Sequence, residues 1–304
     1  MYLAHFGLRE FPFSITPDTS FFFSSADHQE ALNTLLIAVR NGEGFIKITG
    51  EVGTGKTLLC RQFLSGINRD AADGQGRFVT AYIPNPYLEP RTLLLALAEE
   101  IGIELEREAD QYRLLKSLTR ALLDFARAGK RVVLCLDEAQ AMPLESLEAI
   151  RLLSNLETEK RKLLQIVLFG QPELNQKLHQ DSIRQLNQRI MFHYHLGPIN
   201  RDDLEYYLAH RLSVARFKGE GLFSQGAIRQ LHAASGGIPR LVNILAHKAL
   251  MLAYGEGRQR IEGRHVRAAA RDTEAARKNP WRWWAAAAAL LLVAGAGLGW
   301  MSLR

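Results

Sequence analysis

The eight residues GEVGTGKT, Gly50 to Thr57, restrict what this chain can fold into more than any other segment. They follow an apolar run, GFIKIT, that reads as a short buried strand, and they lead into a stretch whose apolar spacing predicts a helix from Lys56 to about Ile67. A strand, a glycine turn and a helix N-terminus in that order form a cradle for phosphate. Main-chain N–H groups curl round the oxygens where no side chain intervenes, and the helix dipole favours the same negative charge. Gly50, Gly53 and Gly55 open the turn, while Glu51, Val52, Thr54 and Leu58 complete the binding segment. Lys56 offers a point charge to the terminal phosphates and Thr57 a hydroxyl to Mg²⁺, so Mg-ATP is the expected ligand.

A second run, VVLCLDEA, reads as another buried strand, Arg131 to Leu136, with Asp137 emerging at its carboxyl end. Ligands of wound α/β sheets sit outside the carboxyl ends of the strands, so Asp137 is placed to hold the Mg²⁺ shell and Glu138 to orient and polarise a water. Further strands are expected at RFVTAYI up to Ile83, at Leu163 to Phe169 and at Met191 to Leu196. Helices are expected from Ala26 to Val39, from Pro90 through Ala98, from Asp110 to Ala128 and from Pro143 to about Leu156. Strands alternating with helices indicate a parallel five-stranded sheet covered on both faces, an αβα core over 26–198. After Pro198 the strand signals stop. Four helical stretches, beginning near Arg201, Ser224, Pro239 and Glu262, predict a smaller helical domain over 199–275. Residues 1–25, rich in Phe and broken by Pro12 and Pro17, read as an extended strap.

A formal net charge of +6 raises the question of nucleic acid. The charge is concentrated: Arg258 to Arg282 holds eight basic residues against Glu262, Asp272 and Glu274, leaving the rest near neutrality. A backbone-binding groove needs several Lys or Arg on one face, so nucleic acid is an unfavoured partner. The triple Phe21, Phe22, Phe23 has no interleaved cations and reads as core rather than a base-stacking platform. His193 and His195 alternate on one strand face without a completing Cys or carboxylate, and read as ordinary sheet histidines. Cys60 and Cys135 have no paired-cysteine spacing, and the opening residues carry no secretory signal, which fits a reducing cytoplasm.

Several strings resemble one family: FGLREFPFSITPD from Phe6, HQEAL from His28, LDEAQ, LFGQPEL from Leu168, IRQLNQRI from Ile183 and SGGIPRLVN from Ser235. Together with the glycine loop they are similar, over nearly the whole chain, to AAA+ ATPases of the ExeA/MshM type, associated with general secretion and with assembly of the mannose-sensitive haemagglutinin (MSHA) type IV pilus. The MshM branch is the nearer match, because an ExeA-type chain continues into a peptidoglycan-binding domain where this sequence ends at Arg304. The resemblance implies a P-loop NTPase core with a helical lid, and ATP hydrolysis in a homo-oligomer whose sites are shared between subunits. It also implies partners among pilus or secretion assembly proteins and room for a separate peptidoglycan-binding subunit. On its pattern Gln171 takes the sensor position after the fourth strand, Arg240 in GIPR projects from the lid to the nucleotide, and Arg189 is the arginine finger, with Arg184 as competitor. The strap would cover the adenine, with Phe6, Leu8 and Phe13 as candidates. Two other readings use the same core: an ATP-dependent oligomerisation switch with little turnover, and a transposition-type DNA-dependent ATPase.

Trp283 to Met301 carries no charge and, as a helix, approaches the hydrocarbon thickness of a bilayer. Trp281, Trp283, Trp284 and Trp300 bracket it, and basic residues precede it in a linker over 276–282. The sequence therefore predicts one C-terminal transmembrane helix over 283–301, with the ATPase tethered to the cytoplasmic face of the bacterial inner membrane.

Overall fold

The computed structural model describes residues 2–70, 78–104, 110–158 and 161–276. Five strands form one sheet: β1 (Phe45–Gly50), β2 (Phe78–Ile83), β3 (Arg131–Leu136), β6 (Leu164–Gly170) and β7 (Phe192–Leu196), in the order β2-β3-β6-β1-β7. Every pairing is parallel. β1 and β6 are buried at every position and β3 at all but its first, as expected of central strands covered on both faces, whereas the edge strand β7 alternates partly and fully exposed residues before Leu196.

The pleat divides the apolar residues into two layers. Ile46, Ile48, Val133, Cys135, Val167 and Phe169 face α2 (Ala26–Asn41) and α3 (Lys56–Asp70), meeting Leu35, Leu59 and Phe63. Leu134, Leu136, Ile166 and Leu168 face α4 (Pro90–Glu100), α5 (Gln111–Arg127) and α6 (Leu144–Leu153). Ser25 and Asp110 cap α2 and α5 by accepting the amides of His28 and Arg113. Because β6 lies between β1 and β3, the chain leaves these three strands side by side at one end of the sheet. The glycine loop, Gln171 and Asp137 are thereby gathered from three distant parts of the sequence.

Short elements escaped the sequence reading: the hairpin β4 (Glu157–Thr158) and β5 (Arg161–Lys162), α7 (Glu173–Leu178) and α8 (Arg184–Asn187), each too brief for a period to register. The opening segment is not wholly extended either. Tyr2–Phe6 forms a helix, α1, because Tyr2 and Phe6, four apart, bury one face against the helical region.

That region holds α9 (Arg201–Val214), α10 (Gln225–Ser235), α11 (Pro239–Gly255) and α12 (Gly263–Arg271) around a third apolar cluster. Tyr2, Phe6, Leu8, Phe13 and Phe21 belong to this cluster, so the N-terminal segment packs with the lid rather than the sheet. The segment that leads from β7 into the lid is fixed where the Ile199 amide donates to the Gly237 carbonyl. A Cβ on Gly237, at φ +77°, would stand 2.1 Å from the Ile199 carbonyl oxygen, which accounts for the second glycine of SGGIPR.

One part of the expected fold is corrected. Among the described residues no helix is long and apolar enough to cross a membrane. α5 and α11, at 17 residues each, fall short of the roughly 20 a span needs and carry charged side chains. The stretch 283–301, on which the transmembrane helix was expected, lies outside the described residues, as does most of the linker before it. The expectation of a single-pass inner-membrane protein is therefore carried by no helix among the described residues.

Candidate active site

The loop after β1 wraps back on itself through Lys56. Its Nζ donates to the carbonyls of Gly50 at 2.8 Å and Glu51 at 2.9 Å, and burial pushes the ammonium below its ordinary pKa, opposed by the carboxylates of Glu138, Asp137, Glu51 and Glu173. A desolvated cation held only by carbonyls has strong unmet demand for anionic oxygen. The Gly53 turn brings the lid to the same place: the Arg240 amide donates to the Gly53 carbonyl, and a Cβ on Gly53, at φ +85°, would stand 2.5 Å from that of Arg240. Arg240 itself is exposed and lines the cleft.

At the end of β3, Asp137 is buried, accepts the Thr57 hydroxyl at 2.6 Å and stands 3.4 Å from the Tyr82 hydroxyl. Burial raises the Asp137 carboxyl above the usual range, outweighing the hydrogen bonds that lower it, and burial likewise raises Tyr82. A hydroxyl and a carboxylate meeting at one point form a hard-oxygen pair suited to Mg²⁺. Glu138 follows with left-handed backbone, φ 52°, one of two described non-glycine residues with positive φ. Its Oε2 accepts from Gln171 Nε2 at 3.0 Å and from Gln140 Nε2 at 2.5 Å, while Gln140 Oε1 accepts the Gln171 amide at 2.9 Å. Gln171 thus lies against the Asp137–Glu138 pair.

A cleft of about 340 Å³ runs between these groups and the lid. Val52 to Leu58, Glu138 and Arg240 line it; Gly50, Glu51, Asp137 and Gln171 stand behind as partners of Lys56, Thr57 and Glu138. Its other wall is the strap, but not through the residues expected. Phe6, Leu8 and Phe13 are 5%, 6% and 1% exposed inside the lid core, and it is Ser14 to Asp18 and Phe21 to Phe23 that face the cleft. Phe6, Leu8 and Phe13 are consumed in packing, which leaves the Ser14 to Asp18 segment at the cleft.

Several residues of this wall gave no functional signal in the sequence. Arg211 on α9, 5% exposed, donates Nε to the Pro12 carbonyl at 2.5 Å and Nη2 to the Ser14 carbonyl at 3.3 Å, and lies over the Phe21 ring at 4.8 Å. Asn243 on α11 donates to the same Ser14 carbonyl and accepts the buried Tyr207 hydroxyl. His28 bridges the walls: Nε2–H donates to the Thr54 carbonyl at 3.1 Å, so Nδ1 accepts from Ser25 Oγ at 2.7 Å. Gln140, His28 and Asn243 stand inside strings already notable for their resemblance, LDEAQ, HQEAL and SGGIPRLVN; Arg211 has no such marker.

Arg189 and Arg184 lie away from this chain's own cleft. Arg189 precedes β7 and donates Nη1 to Ser154 Oγ at 2.7 Å. Met191 pairs with Phe45 at the start of β1, whereas the glycine loop leaves its end, so Arg189 sits at the opposite end of the sheet from the phosphate cradle. Arg184 is exposed on α8.

The AAA domain family matches residues 39–178. General secretion pathway protein A of Aeromonas hydrophila is 41% identical over 303 residues, 99% of this chain, which spans 54% of that relative's length. Among solved structures, the ORC2 protein of Aeropyrum pernix in ADPNP–ADP complexes superposes with a TM-score of 0.61 at 19% identity, over 88% of this chain and 74% of that one. Cdc6p from Pyrobaculum aerophilum gives 0.62 at 20% identity over 84% and 70%, and the RuvB Holliday junction branch migration motor of Thermotoga maritima 0.52 at 17% over 82% and 72%. At these identities the structures show the fold alone, a P-loop α/β core with a helical lid. Fold, cleft and sequence identity agree: the chain carries an AAA domain of the nucleotide-binding P-loop kind and is similar along nearly its whole length to general secretion pathway protein A.

Proposed function

We propose that this chain hydrolyses Mg-ATP in the cleft and that its turnover serves assembly of a secretion apparatus of the general secretion type or of an MSHA-like type IV pilus. The observation that carries the chemistry is the convergence, from three strand ends, of Lys56, the Thr57–Asp137 pair and Glu138 with Gln171. Thr57 and Asp137 would hold Mg²⁺, which supplies charge neutralisation on the phosphates. Lys56 and the loop amides bind the terminal phosphates, Glu138 takes a proton from the attacking water, and Gln171 fixes the carboxylate that does so. Arg240 reaches the phosphates from the lid, tying lid position to nucleotide state. The secretion role rests on identity to the Aeromonas hydrophila protein, and the pilus role on the motif resemblance.

Arg189 faces away from its own cleft, which supports a finger donated to a neighbouring copy in a homo-oligomer. Such a residue contributes about 10³- to 10⁵-fold in rate. One mixing experiment tests both parts. Glu138→Gln and Arg189→Ala are each expected to bind ATP and lose turnover, by about 10²-fold or more. Mixed assemblies regain turnover, because an interface pairing intact Glu138 of one copy with intact Arg189 of the next is restored. Wild-type turnover in Glu138→Gln overturns the hydrolytic reading; intact oligomers without rescue overturn the shared site.

A further inference from the structure

We infer that Gln140 is a positioning residue for the hydrolytic step, setting the orientation of the Glu138 carboxylate; this rests on the reading of Glu138 as the group that takes the proton from water. Gln140 stands in the short turn Ala139–Ala141 directly after the left-handed Glu138. Its side chain works in two directions at once. Nε2 donates to Glu138 Oε2, and Oε1 accepts the backbone amide of Gln171 at the start of the β6–α7 turn. A Cβ on Gly170 would lie 3.3 Å from that Oε1, so the side chain lies close against the end of β6.

The consequence is a rigid carboxylate. Gln140 and Gln171 both donate to Oε2 and none of these bonds falls on Oε1, so rotation about the last side-chain torsion is blocked and Oε1 is left to accept from water. Gln171 reaches Glu138 from a neighbouring strand end, and its own main chain is fixed by Gln140. Without Gln140, therefore, both the direct bond and the anchor of the second donor are lost. The backbone beneath does not depend on the Gln140 side chain. Lys177 Nζ donates to the carbonyls of Gln140 at 2.7 Å and Met142 at 2.6 Å, pinning the turn from α7. Substitution at 140 is thus a perturbation of the carboxylate, with the turn held by other means.

The test uses the full chain with Mg-ATP and measures kcat, KM, nucleotide affinity by calorimetry and the thermal midpoint. Gln140→Ala is expected to lower kcat about 10²-fold, the scale of a misplaced reacting group, with KM and affinity near wild type and the midpoint unmoved. Gln140→Glu keeps the reach and the acceptor for the Gln171 amide but removes the donor, and should lose turnover as Gln140→Ala does. Gln140→Asn, one methylene short of spanning both partners, should not rescue. The decisive comparison is the double variant: added to Glu138→Gln, Gln140→Ala should cause no further fall, because it acts through a carboxylate already gone. An additive fall, or a loss of affinity and midpoint in step with kcat, makes Gln140 merely structural and overturns the inference. Wild-type kcat in Gln140→Ala, with Glu138→Gln inactive, overturns the inference alone. Wild-type turnover in Glu138→Gln overturns the underlying reading and this inference together.

Discussion

The two walls of the cleft are built in opposite ways. The core wall is local: eight consecutive residues and the ends of β3 and β6, all set on a buried parallel sheet. The lid wall is assembled over distance, with Arg211 held to Pro12 and Ser14, and Asn243 to Ser14, across separations of 199, 197 and 229 residues. The core wall also stores unfavourable electrostatics, a desolvated ammonium and a desolvated carboxylate, whereas the polar groups of the lid wall satisfy one another. The difference teaches where function and stability part company: at the core wall they should move in opposite directions, and at the lid wall together.

The largest effect expected of that contrast is at Lys56. Lys56→Met should weaken ATP binding by about 10- to 100-fold or more, the loss of charge-assisted bonds to phosphate. Stability should respond otherwise. Because burial lowers the folded-state pKa of Lys56, its charged form is disfavoured at neutral pH, and this cost fades only as pH rises through that folded value toward the unfolded one. Removing the charge should therefore leave the nucleotide-free protein unchanged or more stable, with a gain of up to roughly 1 kcal/mol. Urea unfolding checks this, and a clear loss of stability breaks the contrast.

Arg211 should behave in the other sense. Arg211→Ala strips donors from two strap carbonyls and a cation from the Phe21 and Tyr207 rings, and should cost roughly 2–4 kcal/mol of stability. ATP affinity should fall with it, by about tenfold, as the strap facing the cleft loosens. Arg211→Lys should not restore either quantity, since an ammonium cannot address the Pro12 and Ser14 carbonyls in the planar geometry of a guanidinium. Normal affinity in a destabilised Arg211→Ala protein would confine the strap to a packing role.

The same division explains what was legible in the sequence. The strands β1, β3 and β6 announce themselves as unbroken apolar runs, and the glycine loop and the Asp137–Glu138 pair need only local pattern and strand polarity to be placed. β6 standing between β1 and β3, which brings Gln171 to Glu138, is a fact of topology that no local pattern states. The resemblance lays the strap over the adenine with Phe6, Leu8 and Phe13 as candidates, yet these three obey the ordinary pull of apolar area into a core, leaving Ser14 to Asp18 at the cleft. Arg211 was invisible because its partners are main-chain carbonyls, which any sequence supplies.

His28 joins the two walls and should give the smallest effect. It is buried, with Nε2–H on the Thr54 carbonyl and Nδ1 accepting from Ser25, an arrangement that fits the neutral ring. Burial lowers its pKa below 6.5, outweighing the Thr54 carbonyl and the neighbouring Asp27 carboxylate, which favour the proton. A lowered folded-state value means that the unfolded chain binds the proton first. Stability is therefore fully present above about pH 6.5, the unfolded value, and is lost as pH falls from there through the folded value. Protonation would also put a donor on Nδ1 facing Ser25 Oγ, which already accepts the His28 amide at 3.3 Å and would have to turn its own hydrogen away. In His28→Gln, urea midpoints should fall less steeply on acidification below that value than in wild type. Equal slopes would mean that the seam between loop and strap is held by packing, such as the edge of Phe22 against the ring, rather than by the proton on His28.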